Sequence, residues 1–321
     1  MPRFFSINIP QNTAPNNFGT VATEHDFESR SCRASADSCE RHRLLKIHHL
    51  NCGTCCPIGG KLFDGYSNGV SAHLVCHCLL IESSDGLVLV DTGYGTQDNR
   101  RPRERLSDFF LALNRPQLLP QETATAQVRA LGFRPEDVRH IVATHLDFDH
   151  AGGIEDFPNA RIHVTTRERE VADQQRGGAF VSRKRYRPQQ WDTVTNWSLY
   201  PMGGGERWYG FDAVRDLEGL PPEILLVPLA GHTWGHAGIA VREEDGRWLF
   251  YAGDAYFHHG EVSANRSCPP GLAGYQRLMQ VDAEARRVNQ RRIRALALDH
   301  SDTVRLFCAH DRTEFDAFAH A

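Results

Sequence analysis

Four side chains that can bind a metal fall within six residues of the chain, at His145, Asp147, Asp149 and His150. In extended backbone, alternate residues point the same way, so the first three can converge, and His150 joins them if the chain turns there. The Ala-Gly-Gly that follows (151–153) permits such a turn, because glycine adopts backbone angles closed to other residues. Imidazole and carboxylate ligands suit zinc or iron. The stretch predicts a metal site; the simpler alternative is a solvated acidic turn with incidental histidines.

Three further potential ligands stand where short apolar runs end, each of which is typical of a strand. His232 follows the run 223–228, Asp254 follows 249–252, and His310 follows 304–309. A lone histidine after a strand is usually a turn residue. Three such strand ends in addition to the first stretch make coincidence improbable, because a sheet gathers polar groups at one edge.

The elements that must position these residues can be predicted from apolar periodicity. Residues 74–82 and 87–90 predict a hairpin whose turn is Ser-Ser-Asp-Gly, and the second strand ends at Asp91. Apolar positions at helical spacing predict helices over 103–113 and 121–132, the latter ending at Gly132. Residues 141–143 and 161–164 predict strands, and 152–157 the start of a helix.

The composition is that of an ordinary globular protein, with 321 residues, 24% charged and 40% apolar. No apolar run approaches the roughly 18 residues of a membrane helix, so we expect a cytoplasmic protein that does not bind membranes. A formal net charge of −4 argues against a nucleic-acid surface. Nine cysteines without a regular framework predict reduced thiols.

Two segments are harder to interpret. Residues 1–43 are polar and irregular, and predict a loose extension or an arm on a partner subunit of a homodimer. Residues 51–60, with Cys52 and Cys55 at C-x-x-C spacing, are interpreted as a structural loop near the pocket rim, with a metal or disulfide role as the alternative.

The segment 166–220 is the least regular and mixes arginines with aromatic residues. We interpret it as a lid over a pocket, because long loops in compact domains are usually functional. Its arginines favour a small-molecule substrate that is anionic. The alternatives are an RNA-binding surface, which the net charge does not support, and an ordinary surface loop.

The stretch 145–150 resembles the His-x-His-x-Asp-His signature of the metallo-β-lactamase superfamily, with Asp147 in place of the second histidine. The Gly-His-Thr-x-Gly-His turn at 231–236, the Gly-Asp at 253–254 and His310 also resemble the superfamily's motifs. The resemblance covers residues 44–321 as one hydrolase domain. The amino-acid sequence of residues 145–153 is most similar to that of the N-acyl-homoserine lactone lactonase-like branch.

This resemblance implies an α/β (α+β) fold, a four-layer αββα sandwich with two metal ions at one edge. His145, Asp147 and His232 would hold the first ion, and Asp149, His150 and His310 the second, with Asp254 as the bridge. Asp91 would support the metal-binding loop from behind, and His236 would support its own turn. Asp149, Asp254 and Tyr256 would be catalytic, although the lactonase tyrosine position corresponds to Phe257.

The implied activity is that of a zinc-dependent hydrolase in which a metal-bound hydroxide opens a lactone or related ester. Alternatives on the same site are hydrolysis of a phosphoester, sulfate or aryl halide, a non-catalytic metal-bearing binding protein, and a di-iron redox site. One or two zinc ions are expected. Because Asp147 is a harder ligand than histidine, it favours iron or manganese and a loosely held first ion.

Overall fold

The computed structural model describes residues 45–174 and 180–319. The predicted N-terminal extension lies outside these residues. No helix in the described ranges is long and apolar enough to cross a membrane.

The first sheet has six strands in sequence order: β1 (Lys46–Cys55), β2 (Leu74–Ser83), β3 (Gly86–Val90), β4 (Val138–Val142), β5 (Arg161–Thr165) and β6 (Trp197–Tyr200). The pairs β1–β2 and β2–β3 are antiparallel, and the pairs from β3 to β6 are parallel. The carboxyl ends of β3 and β4 therefore lie at the same edge, which brings together the loops that follow them.

The second sheet contains β7 (Glu206–Trp208), β8 (Phe211–Asp216), β9 (Ile224–Pro228), β10 (Ala237–Arg242), β11 (Trp248–Tyr251) and β12 (Val304–Phe307), in the spatial order β12-β11-β10-β9-β8-β7. The pair β11 and β12 is parallel, and the other neighbours are antiparallel. The loops after β11 and β12 consequently leave the sheet at one edge.

The described helices are α1 (Lys61–Asp64), α2 (Thr96–Arg100), α3 (Pro102–Arg105), α4 (Asp108–Asn114), α5 (Ala124–Ala130), α6 (Thr166–Gln174), α7 (Ser182–Arg185), α8 (Pro270–Met279), α9 (Ala283–Asp299) and α10 (Arg312–Ala319). Side chains alternate across each strand. Leu79 and Ile81 enter a core that the two sheets share, whereas Leu80 faces a second core under α5. On the other side, Phe250 packs beneath α9. The predicted αββα sandwich is confirmed.

Several predicted boundaries need correction. The helix predicted over 103–113 is two helices, because Ser107 accepts a hydrogen bond from the Phe110 amide and so caps a new helix. Residues 152–157 form only a 3-10 turn. The predicted loop at 51–60 is strand as far as Cys55, since β1 continues past a bulge.

The segment predicted as an irregular lid, residues 166–220, contains regular elements of both sheets. It supplies β6 to the first sheet and β7 and β8 to the second. Trp191, Trp208 and Phe211 are buried, so these aromatic side chains belong to the packed interior, and a lid role for the rest of the segment stays a prediction. Residues 175–179, which include Arg176, lie outside the described residues.

Candidate metal centre

Loops at the ends of strands in both sheets bring the predicted ligands together. The segment 144–153, which we call the metal loop, follows β4 and supplies four of them. Asp254 follows β11, His310 follows β12, and His232 lies in the turn between β9 and β10. All seven side chains are buried.

The first set of ligand atoms belongs to His145, Asp147, His232 and Asp254. His232 Nε2 lies 3.1 Å from Asp147 Oδ2 and 3.1 Å from Asp254 Oδ2. His145 Nε2 lies 3.4 Å from Asp147 Oδ2 and 3.7 Å from Asp254 Oδ2.

The second set belongs to Asp149, His150 and His310, and the other oxygen of Asp254 faces it. His310 Nε2 lies 3.1 Å from Asp254 Oδ1, 3.4 Å from His150 Nε2 and 3.9 Å from Asp149 Oδ2. Tetrahedral ligands roughly 2.0–2.2 Å from one zinc ion are separated by about 3.3–3.6 Å. The second set therefore has the spacing of ligands around one ion.

Hydrogen bonds behind the ligands fix which ring nitrogen faces the centre. His150 Nδ1 donates to Asp91 Oδ2 at 2.8 Å, and His310 Nδ1 donates to the Val75 carbonyl at 2.7 Å. Thr144 Oγ1 donates to Asp91 and therefore accepts from His145 Nδ1 at 2.9 Å. In each ring the Nε2 lone pair is left for a ligand, which is the usual arrangement behind a metal-binding histidine.

Asp91 is the centre of this support, as the resemblance implied. Its backbone has φ +56°, a left-handed conformation uncommon outside glycine but tolerated by aspartate. Its carboxylate also accepts bonds from the Thr144 amide at 2.8 Å and from Tyr251 Oη at 2.9 Å.

We expect Asp91→Asn to weaken metal binding about 10- to 100-fold, because an amide cannot accept all of these bonds and no longer raises the basicity of His150. Tyr251→Phe removes one donor and leaves the carboxylate, so its effect should be smaller. Competition with a chromophoric chelator measures both. Equal metal affinity in Asp91→Asn and the parent would contradict this role.

Glu168 is a supporting residue that the sequence analysis missed. It is fully buried on α6. One carboxylate oxygen accepts from the Leu146 amide at 3.0 Å, and the other accepts from Thr233 Oγ1 at 2.6 Å. Glu168 thus ties the metal loop to the turn that holds His232. No sequence motif marks it, because its partners lie 22 and 65 residues away.

The glycines of the metal loop act differently from the prediction. Neither Gly152 nor Gly153 has a positive φ. A Cβ at Gly152 would lie 2.3 Å from Asp98 Oδ2 and 2.6 Å from the Gly93 carbonyl. Glycine is required there for close packing against the loop after β3, and not for a special backbone angle.

Two buried atoms of the ligand sets have no hydrogen-bond partner among the described residues, His145 Nε2 and Asp254 Oδ1. Leaving a buried polar atom unpaired costs about 1–3 kcal/mol. A cation at the second set would satisfy Asp254 Oδ1, so the donors of that set fit a divalent metal.

A buried arginine contacts the first set. Arg185, on α7, has no exposed surface. Its Nε lies 2.6 Å from Asp147 Oδ1 and its Nη2 lies 2.5 Å from Asp147 Oδ2, which is a two-pronged ion pair. The sequence analysis placed Arg185 in the lid, and nothing in its neighbours Arg183 and Lys184 distinguishes it.

The electrostatic character of the two sets differs accordingly. Burial would raise the pKa of Asp147, but Arg185 and His145 hold it well below its usual range. Burial and then the Arg185 cation lower the pKa of His232 to about 4. Burial would also lower the pKa of His310, yet the Asp254 carboxylate raises it to about 9. The first set already contains a positive charge, whereas the second attracts one.

Tyr256 lies away from the ligands. Its hydroxyl donates to Glu314 Oε1 at 2.9 Å, and its ring packs in the core beneath α9. Its catalytic role stays a prediction, and this contact argues against it, because the hydroxyl proton is already used. The ring of Phe257 stacks on His310, with centroids 5.1 Å apart.

Tyr275, on α8, is a phenol beside Phe257, and no sequence motif indicated it. Its ring centroid is 6.0 Å from that of Phe257, and its hydroxyl accepts from Asn114 Nδ2 at 3.2 Å. Burial, followed by the negative charge of Asp149, raises its pKa, so the phenol keeps its proton. The 20 residues between Asp254 and Tyr275 hide this proximity in the sequence.

Two sheets packed face to face, with paired histidine and aspartate sets at the strand ends, define a class of metal-binding hydrolases. The chain belongs to the metallo-beta-lactamase superfamily, whose family model matches residues 73–299. The predicted family is thereby confirmed.

Particular relatives include a probable metallo-hydrolase from Mycobacterium tuberculosis, 40% identical over 268 residues, which are 83% of this chain and 80% of that protein. An N-acyl homoserine lactonase from Azorhizobium caulinodans is 33% identical over 209 residues, 62% of this chain and 71% of its own. A solved N-acyl homoserine lactone hydrolase, with N-hexanoyl-L-homoserine at its catalytic metal centre, shares the fold with a TM-score of 0.63 at 19% identity. The match covers 85% of this chain and 96% of that one.

Proposed function

We propose that this superfamily hydrolase uses a bound divalent metal, zinc in the first instance, to open a lactone or related carboxylic ester. The observation that supports the proposal most strongly is the second ligand set, in which two histidine Nε2 atoms and two carboxylates face one point. N-acyl homoserine lactonases among the relatives support the choice of substrate class.

Four residues would hold the ion, namely Asp149, His150, Asp254 and His310. When bound, the ion supplies Lewis acidity towards a carbonyl oxygen and lowers the pKa of a water molecule towards neutrality. The protein's own contribution is to keep these ligands oriented through Asp91 and to exclude bulk water by burial.

Asp149 is proposed as the proton acceptor. Burial raises the pKa of its carboxyl group. A carboxylate within reach of the attacking water can accept its proton and return it in a later step. It would take the proton from the attacking water and pass it to the leaving alkoxide of the opened ring.

Tyr275 is proposed to donate a hydrogen bond to the substrate's carbonyl oxygen. Its hydroxyl accepts from Asn114, and its own proton has no acceptor among the described hydrogen bonds. Donors aimed at a developing negative charge are among the most effective catalytic groups.

The surroundings of the second set favour an apolar ester over a phosphoester or sulfate. Phe148, Phe257 and Met279 belong to an apolar cluster beside the ligands. Arg185, the arginine that contacts the ligand sets, is fully paired with Asp147 and backbone carbonyls and cannot bind a phosphoryl group. We therefore propose lactones as the preferred substrates, ahead of phosphoesters, sulfates and aryl halides. A cytoplasmic location, an anionic substrate and a homodimer stay predictions.

A substrate panel tests the proposal. Zinc-loaded protein is assayed with acyl lactones of increasing chain length, aryl esters, a phosphotriester and an aryl halide, and His150→Ala serves as the ligand-deficient control. We expect the highest kcat/KM on a lactone or ester, with loss of that activity in the control. Turnover of only the phosphotriester or aryl halide would contradict the proposed substrate class.

A further inference from the structure

The described hydrogen bonds of the Arg185 guanidinium go to two ligands of the first set and to two backbone carbonyls near them. Besides the two-pronged pair with Asp147, Nη1 donates to the carbonyls of Met279 at 2.8 Å and of His232 at 3.1 Å. Nη2 also lies 2.6 Å from His232 Nε2. The side chain is thus held on several sides at a position where it touches two of the four ligands.

Because Arg185 donates to His232 Nε2, a metal ion cannot bind that nitrogen atom at the same time. A guanidinium has only donors, so His232 Nε2 must be the acceptor. A neutral imidazole has a single acceptor nitrogen, and a metal needs that same lone pair. Both oxygens of Asp147 are likewise occupied by the guanidinium.

The second set has no such cation. In the described ranges 45–174 and 180–319, no lysine or arginine makes a hydrogen bond or ion pair with Asp149, His150 or His310. The two halves of the centre therefore differ in kind: one is closed by a protein cation and the other is open to a metal ion.

We propose that Arg185 takes the place of the first metal ion, so that the protein binds one ion, at the second set, and Asp147 serves to pair the arginine. This inference rests on the proposed function, because it requires a metal in the second set. It also accounts for the aspartate at position 147, since a carboxylate pairs a guanidinium with two parallel bonds and an imidazole does not.

A permanent protein cation has a definite consequence for the chemistry. Arginine stays protonated at any pH the protein tolerates, so the charge beside Asp147 and His232 cannot dissociate as a metal ion can. Among the described residues, Arg185 reaches neither His145 nor Asp254, and His145 Nε2 remains unpaired. Removal of the arginine would therefore leave His145, His232 and Asp254 free to accept a second ion.

The test is the number of zinc ions per chain, measured by elemental analysis after saturation with zinc and removal of free metal. We expect one ion in the parent, one in Arg185→Lys, which keeps the charge, and two in Arg185→Gln. Lys184→Gln on the same helix is the matched control and should bind one. Thermal melts of each variant verify folding.

Two tightly bound ions in the parent, or one ion in folded Arg185→Gln, would overturn the proposal. If Arg185→Gln does not fold, anomalous diffraction from zinc-loaded parent crystals decides the question: one peak among Asp149, His150 and His310 supports it, and a second peak between His145 and His232 overturns it. A parent that binds no zinc would contradict the proposed function itself, which keeps the two failures distinct.

Discussion

Replacing His310 by alanine is expected to remove the bound ion and to lower kcat/KM at least about 10³-fold, a loss of about 4 kcal/mol of transition-state stabilisation. His310 Nε2 faces Asp254 Oδ1 at 3.1 Å and His150 Nε2 at 3.4 Å, so it closes one side of the second set. Without it, two aspartates and one histidine would have to hold the ion. Zinc per chain and kcat/KM for the best substrate of the panel are measured together.

The informative comparison is His232→Ala. In our account His232 accepts a bond from Arg185, so this variant should still bind its ion. His310→Ala with unchanged zinc content and unchanged kcat/KM would show that the second set is not the working centre. Loss of zinc in His232→Ala but not in His310→Ala would move the ion to the first set.

Replacing Tyr275 by phenylalanine is expected to lower kcat about 10²- to 10³-fold with little change in KM, the usual effect of removing one donor to a developing oxyanion. The phenol is the hydrogen-bond donor that the structure places beside Phe257, which itself stacks on His310. A donor that acts mainly in the transition state affects kcat more than substrate binding.

Tyr256→Phe is the matched control. The Tyr256 hydroxyl bonds to Glu314 in the core beneath α9, so its removal should cost about 1 kcal/mol of folding stability and leave kcat nearly unchanged. Steady-state kinetics and urea denaturation of both variants separate the two roles. A large loss of kcat in Tyr256→Phe, with Tyr275→Phe close to the parent, would restore the assignment made from the sequence motif.

The parts of this protein that the sequence predicted best are those set by local patterns. Apolar runs located β2, β3, β5, β9, β11 and β12 closely, because buried strands of a two-sheet sandwich can be apolar on both faces. The prediction for β4 began three residues late, since Arg139 and His140 interrupt its apolar run. The seven predicted ligands come together because each follows a strand end, and strand ends meet at one edge of the fold.

The parts that the sequence did not predict depend on contacts between distant segments. The ring systems of Trp208 and Phe211 suggested a lid, yet they pack on Phe250 of β11 in the second sheet. Arg185 meets Asp147 across 38 residues, and nothing local distinguishes it from the exposed Arg183 two positions earlier. Single-sequence periodicity carries no information on such pairs.

Asp147 shows how this limit affects a functional interpretation. From sequence, a carboxylate at this position is another metal ligand that favours iron or manganese. In the structure both of its oxygens bind Arg185, so the same substitution is explained by pairing with a buried cation. Only the location of the partner distinguishes the two explanations.

A zinc titration of metal-stripped protein during lactone hydrolysis tests directly whether this chain is a metal-dependent ester hydrolase. We expect no turnover after chelation, recovery in proportion to added zinc, and a plateau at one ion per chain. A plateau at two ions would contradict only the role of Arg185. Undiminished hydrolysis by the stripped protein, or no lactone or ester hydrolysis at any zinc concentration, would contradict the assignment of this chain as a metal-dependent ester hydrolase.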